Sequence, residues 1–342
     1  MVEIFFSRPI DASIKMLYDI YVQYYSTTLR KEGLKTMQLE NINGLWPVMI
    51  TPFTDAGEID YASLEALIEW YERHGAAGLF AACQSSEIFY LSLCEREKLV
   101  SFVKSHAHIP VIASGHISDG LEDQIEELTR MGKAGADALI LITNRLASPY
   151  EDSAAFMARL HTLMKALPED TPLGFYECPY PYKRLISLDE LRWCAESGRF
   201  RFMKDTCCDE KLLEARLQAL SGSRLKLFNA NTTTFLSSLR AGAAGFSGVM
   251  LNFHPELYGW LLRHWQDSPA EAERVQAFLT VFSFIERQAY PVNAKYHLSQ
   301  LEGVLQSDYT RVKPREILTD TFCLEVRQMD EAARAILKKL NG

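Results

Sequence analysis

The segment GLWPVMITPFTDAGEIDYASLEALIEWYERHGAAGLF, residues 44–80, contains one complete strand–helix–strand unit. Its first apolar run, LWPVMI, is followed by a turn and then by DYASLEALIEWYERHG, whose apolar residues recur at helical spacing. This stretch ends at Gly75, as helix C-termini often do. A second short apolar run, GLFAAC, comes next. Short, continuous apolar strands alternating with amphipathic helices are typical of a parallel sheet that is buried on both faces.

The same unit repeats along the chain. There are eight apolar runs, and an amphipathic stretch follows each of them. The runs are LWPVMI, GLFAAC, PVIASG, ALILIT, PLGFYE, FRFMKD, LKLFNA and GFSGVM. Eight strand–helix pairs within roughly 225 residues predict an α/β fold in which the sheet closes into a (β/α)₈ TIM barrel. A doubly wound open sheet is the alternative, but no GxGxxG motif follows the first strand.

The pattern also divides the chain. We predict a barrel over residues 41–268 and a C-terminal appendage of several helices over 269–342, with a break around AYPVNAKYH. Residues 1–40 form an N-terminal extension in which ASIKMLYDIYVQYY has the spacing of an amphipathic helix. The extension is an added arm, an oligomer contact, or sequence upstream of the true start, for which Met37 is an alternative.

Composition narrows the classes of partner. The 342 residues include 36 Lys and Arg against 44 Asp and Glu, and the net charge of −8 argues against nucleic acid or an anionic membrane as partner. No apolar run approaches the roughly 18 residues of a membrane span, and no secretory leader is expected. The seven cysteines are scattered without a CxxC pair, which favours reduced thiols in a cytoplasmic protein.

Two side chains at adjacent strand ends suggest chemistry, because barrel enzymes carry their active sites at the C-terminal ends of strands. Lys204 ends the sixth apolar run and Tyr176 ends the fifth. A desolvated amine has a lowered pKa and can form a Schiff base with a ketone, and a nearby phenol can move protons. From these residues alone, a rim salt bridge for Lys204 with Tyr176 as packing is an open alternative.

The segment from Gly44 to Phe80, GFYECPYP and FMKD together resemble the dihydrodipicolinate synthase and N-acetylneuraminate lyase family, and the likeness extends from about Gly44 to the last helices. The resemblance implies a Schiff base between pyruvate and Lys204, with Tyr176 as the proton relay. It implies no metal and no diffusible cofactor. It also implies a homo-oligomer, a tetramer built from dimers or a dimer.

The resemblance further assigns substrate-binding positions. The segment CQSSE replaces the family's G-[ST]-T-G-E loop, so that Ser85 falls at the carboxylate-binding threonine and Gln84 at the neighbouring relay hydroxyl. An amide cannot relay a proton as a hydroxyl does. Ser86 replaces a glycine, and the backbone around it is expected to help hold the carboxylate. The remaining expected contacts to the keto acid are Ala230, Ser247 and Gly248.

Other positions depart from the family pattern. Pro181 stands where the synthase branch has an arginine for the second substrate's carboxylate, and Arg184 is a weak substitute. Arg145, after the fourth strand, is either a cation for an acidic substrate or a surface residue. The pair Cys207–Cys208 is interpreted as buried thiols rather than nucleophiles.

We therefore expect a class I aldolase or lyase that acts on pyruvate or a 2-keto-3-deoxy acid by reversible aldol cleavage or condensation. A dehydratase of 2-keto-3-deoxy sugar acids uses the same iminium and is one alternative. A barrel that binds a keto acid without turnover is the other, and Gln84, Ser86 and Pro181 favour it.

Overall fold

Eight parallel strands form the centre of the structure, a computed structural model that describes Leu39 and residues 42–341. They are β1 (Gly44–Leu45), β2 (Leu79–Ala81), β3 (Val111–Ala113), β4 (Ala138–Ile142), β5 (Leu173–Tyr176), β6 (Phe200–Asp205), β7 (Lys226–Asn229) and β8 (Gly245–Phe246). Their order in the sheet is β1-β8-β7-β6-β5-β4-β3-β2. Each strand therefore lies beside its neighbour in sequence, except at the junction of β1 with β8.

The two ends of this sheet meet, which closes the barrel. Parallel bridges join Leu45 to Ala76 and Val48 to Phe80, and the Phe80 amide donates to the Pro47 carbonyl at 3.0 Å. The prediction of a TIM barrel is confirmed, and the open-sheet alternative is wrong. The regular part of β1 is shorter than the predicted run because Pro47 has no N–H to give to the ladder.

Helices surround the barrel. They are α1 (Tyr61–Arg73), α2 (Leu93–His106), α3 (Leu121–Lys133), α4 (Thr143–Leu146), α5 (Ser153–Ala166), α6 (Leu188–Glu196), α7 (Glu210–Ala219), α8 (Phe235–Arg240) and α9 (Pro255–His264). Side chains that precede a helix accept a backbone N–H at several starts, for example Asp60 at α1 and Ser187 at α6.

A helical region follows the barrel, as the sequence predicts. It contains α10 (Pro269–Phe282), a 3₁₀ turn (Ser283–Arg287), α11 (Val292–Tyr296), a π-helical turn (His297–Leu301) and α12 (Asp320–Asn341). The expected break lies between Arg287 and Val292 and includes the cis peptide Tyr290–Pro291. The predicted N-terminal extension lies outside the described residues, apart from Leu39. Within the described chain, no helix is both long and apolar enough to cross a membrane.

Strand alternation determines which side chains enter the barrel. Successive strand residues point to opposite faces, so Phe202 and Lys204 of β6 share the inner face. The aromatic rings inside the barrel are packed together: Trp46 lies 5.2 Å from Phe202, and Phe228 stacks on Phe202 at 4.3 Å between ring centroids. Phe80 meets Tyr176 edge to face at 5.7 Å. These rings form an apolar floor beneath the C-terminal ends of the strands.

A buried ionic cluster lies on the outer side of β5 and β6, away from the face that points into the barrel. The guanidinium of Arg216, on α7, donates to Glu177 at 2.7 and 3.0 Å and also to Asp205. All three side chains are essentially inaccessible to solvent. Glu177 directly follows Tyr176, and Asp205 directly follows Lys204. The cluster thus ties together the strand ends that carry the two candidate reactive residues.

Replacing Arg216 by leucine is expected to lower the free energy of unfolding by about 3–5 kcal/mol, because two carboxylates are left buried without a cation. Urea denaturation checks this value. The matched control is Arg192→Leu, which removes an exposed pair with Asp189 and is expected to change stability by less than about 1 kcal/mol. Equal losses in the two variants would contradict the role given to the buried cluster.

Candidate active site

A cavity of about 590 Å³ opens at the C-terminal ends of the strands. Six of the eight predicted site residues line it: Gln84, Ser85, Tyr176, Lys204, Ala230 and Gly248. The wall is completed by the loop after β5 and by the helical region, which contributes Glu286, Arg287, Tyr290, Pro291, Val312 and Lys313. The cavity is therefore shared between the barrel and its C-terminal appendage.

Lys204 lines this cavity at the C-terminal end of β6, two residues beyond Phe202 of the packed aromatic rings. Its side chain is only 5% exposed, and its Nζ lies 4.4 Å from the ring centroid of Tyr176. Burial lowers the pKa of the amine, partly offset by neighbouring groups that include Cys83 and Glu286. Among the described residues, its amine has no hydrogen-bond or ion-pair partner. The alternative of a rim salt bridge is therefore wrong.

Tyr176 is the register partner of Lys204 on the neighbouring strand. Its hydroxyl donates to the amide oxygen Oε1 of Gln84 at 3.2 Å. Burial raises the pKa of the phenol well above its ordinary value, so Tyr176 is protonated at neutral pH. The structure thus brings Lys204, Tyr176 and Gln84 together. The hydroxyl chain that the resemblance implies is replaced by a contact to an amide.

Ser85 lies on the cavity wall beside Tyr290. Burial raises the pKa of the Tyr290 hydroxyl, and the nearby Ser85 hydroxyl partly offsets this shift. Tyr290 also accepts a hydrogen bond from Nδ2 of Asn252 at 3.3 Å. A serine and a tyrosine hydroxyl next to a buried amine can both donate to a carboxylate.

The side chains of Ser86 and Ser247 do not line the cavity. The hydroxyl of Ser86 donates to the Met49 carbonyl at 2.6 Å, and that of Ser247 donates to the Trp46 carbonyl at 2.9 Å. Both serines are fully buried behind the wall, where they satisfy carbonyls of the segment after β1. Gly248 does line the cavity, and a Cβ there would approach the Ala230 carbonyl to 2.8 Å. Position 248 therefore needs a residue without a side chain so that the wall can pack closely.

Neither candidate arginine reaches the cavity. Arg184 pairs with Glu190 at 2.6 Å and stacks on the ring of Phe156. Arg145 pairs with Asp119 at 2.7 Å. Its side chain is only 7% exposed and also donates to the Ile117 carbonyl, so Arg145 is neither a surface residue nor a cation that lines the cavity.

The prediction of buried thiols at positions 207 and 208 is wrong. Cys207 is half-buried, and Cys208 is exposed and lines the cavity. The chain turns at Cys208, which has a φ of 57°. The apolar character of cysteine suggested burial, whereas the turn between β6 and α7 carries this residue outward.

Three functional candidates were not found from the sequence: Lys183, Glu286 and Tyr290. The Nζ of Lys183 donates to the Thr206 carbonyl at 2.6 Å. Burial raises the pKa of the Glu286 carboxyl, against the opposing effect of the charges on Lys204 and Arg287. The break at AYPVNAKYH was the available signal, because a segment that interrupts regular helices is often part of a binding surface.

One cluster away from the cavity has the composition of a metal site. Single ligand atoms of His297, Glu302 and Asp330 lie within 4.8 Å of one another. The guanidinium of Arg334, however, donates to both carboxylates. A cation is thus already supplied by the chain, and the donor set does not suit a metal ion.

The comparisons with known proteins agree on one family. The family model described as the dihydrodipicolinate synthetase family matches residues 41–329. The chain is similar to the 4-hydroxy-tetrahydrodipicolinate synthase of Methanothrix thermoacetophila, with 25% identity over 81% of this chain and 96% of the relative. It is also similar to the enzyme of the same name from Thermodesulfovibrio yellowstonii, with 27% identity over 73% of this chain and 85% of the relative.

Solved structures share the fold. The chloride-inhibited dihydrodipicolinate synthase of Acinetobacter baumannii, in complex with pyruvate, superposes with a TM-score of 0.76 at 21% identity and covers 85% of this chain and 99% of its own. The prophage protein YagE of E. coli, also in complex with pyruvate, gives a TM-score of 0.74 at 20% identity and covers 86% and 98%. With a family model that spans most of its length, the chain belongs to the dihydrodipicolinate synthetase family of lyases.

Proposed function

We propose that this protein is a Schiff-base-forming aldolase in which Lys204 condenses with the ketone of pyruvate or of a 2-keto-3-deoxy acid. The observation that carries the proposal is the buried amine of Lys204 in the lining of a cavity, which has no hydrogen-bond or ion-pair partner among the described residues. Because burial lowers its pKa, a larger fraction of this amine is neutral near pH 7 than for an exposed lysine. A neutral amine is the form that attacks a carbonyl carbon.

The reaction proceeds through an iminium. The nitrogen of Lys204 forms a bond to the ketone carbon, and the carbonyl oxygen is protonated and leaves as water. The C4 hydroxyl then gives up its proton and becomes the aldehyde carbonyl as the C3–C4 bond breaks, and the electron pair of that bond moves toward the positive iminium to form the enamine. Protonation of the enamine and hydrolysis return the amine and release pyruvate. Condensation is the same sequence in reverse.

We assign to the Tyr176 phenol the role of proton donor to the oxygen atoms of the substrate. It is protonated, lies over the amine of Lys204, and can donate to the oxygen that leaves as water. The carboxylate of the keto acid is assigned to the hydroxyl of Ser85 and the adjoining backbone. The nearby Tyr290 hydroxyl supports the same placement.

The second substrate differs from that of the synthase branch. Pro181 occupies the position expected for the carboxylate-binding arginine, and Arg184 is held by Glu190 away from the cavity. The cations that do line the cavity, besides Lys204, are Lys183, Arg287 and Lys313. We therefore favour aldol chemistry on a different acceptor. Dehydration of a 2-keto-3-deoxy sugar acid uses the same iminium and is the second candidate.

We further propose that the protein works in the cytoplasm as a homo-oligomer, either a tetramer or a dimer. Its seven cysteines are all free thiols, which suits a reducing compartment. The organisation proposed along the chain is a barrel over residues 41–268, helices over 269–342, and an N-terminal extension over 1–40.

Borohydride reduction in the presence of pyruvate is expected to attach a reduced pyruvate adduct to Lys204, located by peptide mass spectrometry. The adduct is expected to disappear in Lys204→Ala, since no other amine among the described cavity residues is placed over Tyr176. The matched control is Lys183→Ala, which removes another lysine of the same cavity and is expected to retain the adduct.

The absence of any adduct in the folded protein, with other keto acids also tried, would contradict the Schiff-base proposal. A panel of 2-keto-3-deoxy acids then separates the remaining candidates. Release of pyruvate indicates aldol cleavage, and loss of water without C–C cleavage indicates a dehydratase. An adduct without any turnover would indicate a barrel that binds a keto acid and does not process it.

Two adjacent serines should respond differently to loss of their hydroxyls. Ser85→Ala is expected to weaken pyruvate binding by roughly 10-fold to 100-fold, the value of a hydrogen bond to a charged group. Ser86→Ala is expected to leave affinity almost unchanged but to lower the melting temperature, because the buried Met49 carbonyl loses its donor. The pyruvate concentration that gives half-maximal trapping measures the first effect. The same affinity loss in both variants would contradict the placement of the carboxylate.

A further inference from the structure

The helical region places a carboxyl group in the cavity. Glu286, in the 3₁₀ turn Ser283–Arg287, lines the cavity together with Lys204. The two side chains interact electrostatically, since the charge on each favours the charged form of the other. Among the described residues, the Glu286 carboxyl has no hydrogen-bond or ion-pair partner. This group is available to a bound substrate.

The other carboxyl that lines the cavity is already bound. Oε1 of Glu87 accepts from Nζ of Lys295 at 2.7 Å. Its Oε2 accepts from the backbone amides of Arg311 at 2.7 Å and Val312 at 3.0 Å. Glu87 thus anchors the segment before α12 against the barrel. Among the described residues that line the cavity, this leaves Glu286 as the carboxyl that can exchange a proton.

The Tyr176 phenol is poorly suited to remove a proton from carbon. Its own proton is donated to the amide oxygen of Gln84, and an amide has no proton that it can pass on. A chain of proton transfers that starts at Tyr176 therefore ends at Gln84. Formation of an enamine nevertheless requires a base for the carbon next to the iminium. A carboxylate kept from full solvation is a stronger base than one in water.

We propose that Glu286 is the general base that takes a proton from C3 of the lysine-bound keto acid and returns it in the reverse direction. In this step the C3–H bond breaks and its proton bonds to a carboxylate oxygen of Glu286. The electron pair of that bond forms the C2–C3 double bond, and the C=N π pair moves to the nitrogen of Lys204. No oxidant, reductant or further reactant is needed. The assignment rests on the proposed function, because it requires the iminium on Lys204.

Exchange of the pyruvate methyl protons with D₂O isolates this step, since it requires the iminium and the enamine but no second substrate. Proton NMR measures its rate in the wild type and in Glu286→Gln. Removal of a general base typically costs 10²–10⁴-fold, so exchange is expected to slow by at least about 100-fold. Borohydride trapping on Lys204 is expected to persist. The matched control is Glu65→Gln on the exposed face of α1, which is expected to exchange at the wild-type rate.

A second variant tests the base directly. Exchange in Glu286→Ala is expected to be slow and to recover when formate is added, because a small carboxylate can enter the space left by the side chain. The rate in the wild type is expected to rise with pH as Glu286 and Lys204 each lose a proton, and Glu286→Gln is expected to lose the part due to Glu286 and to keep the part due to Lys204.

The outcomes separate the inference from the proposed function. Exchange in Glu286→Gln within about twofold of the wild type, with the adduct on Lys204 intact, would overturn the role of Glu286 and leave the Schiff base standing. Loss of trapping in a Glu286→Gln protein with an unchanged melting temperature would also overturn it, because the carboxyl would then act before the C–H step. Failure of the wild type to form an adduct would overturn both.

Discussion

The buried contact of Arg216 with Glu177 and Asp205 is the constraint on which the site depends. Each carboxylate lies one residue beyond a candidate reactive side chain, Tyr176 or Lys204. Because strand residues alternate between faces, holding the carboxylates outward against α7 holds the phenol and the amine inward. A buried charge network of this kind contributes little net stability compared with apolar packing, but it strongly penalises any arrangement that separates its members. It therefore fixes the register in which Tyr176 and Lys204 face each other.

The inward face then determines the chemistry. Lys204 follows Phe202 at a spacing of two residues, so its amine stands above packed aromatic rings and is kept from water. Desolvation favours the neutral amine, and the phenol beside it can donate a proton but is not a base while it holds that proton. The barrel thus supplies a nucleophile and an acid. The complementary base comes from outside the barrel, on the turn that carries Glu286.

The sequence predicts well what depends on local periodicity. The eight apolar runs correspond to the eight strands, and the positions of Lys204 and Tyr176 at strand ends place them in one cavity. The sequence predicts less well in which direction a side chain points within an irregular loop. Ser85 and Ser86 are adjacent, yet Ser85 lies on the cavity wall and Ser86 bonds to the Met49 carbonyl behind it. The break at AYPVNAKYH indicates an irregular segment around Tyr290, but only the packing of the helical region on the barrel brings Glu286 and Tyr290 to the site.

The protonation state of Lys204 is the central claim, and competitive labelling with trace acetic anhydride across a range of pH measures it directly. The acetylated fraction of each lysine peptide, determined by mass spectrometry, gives the pKa of each amine. The account predicts that Lys204 titrates clearly below the ordinary lysine pKa of roughly 10.4. A Lys204 that titrates at or above that value would mean that the amine is solvated or paired, and would contradict its role as the nucleophile.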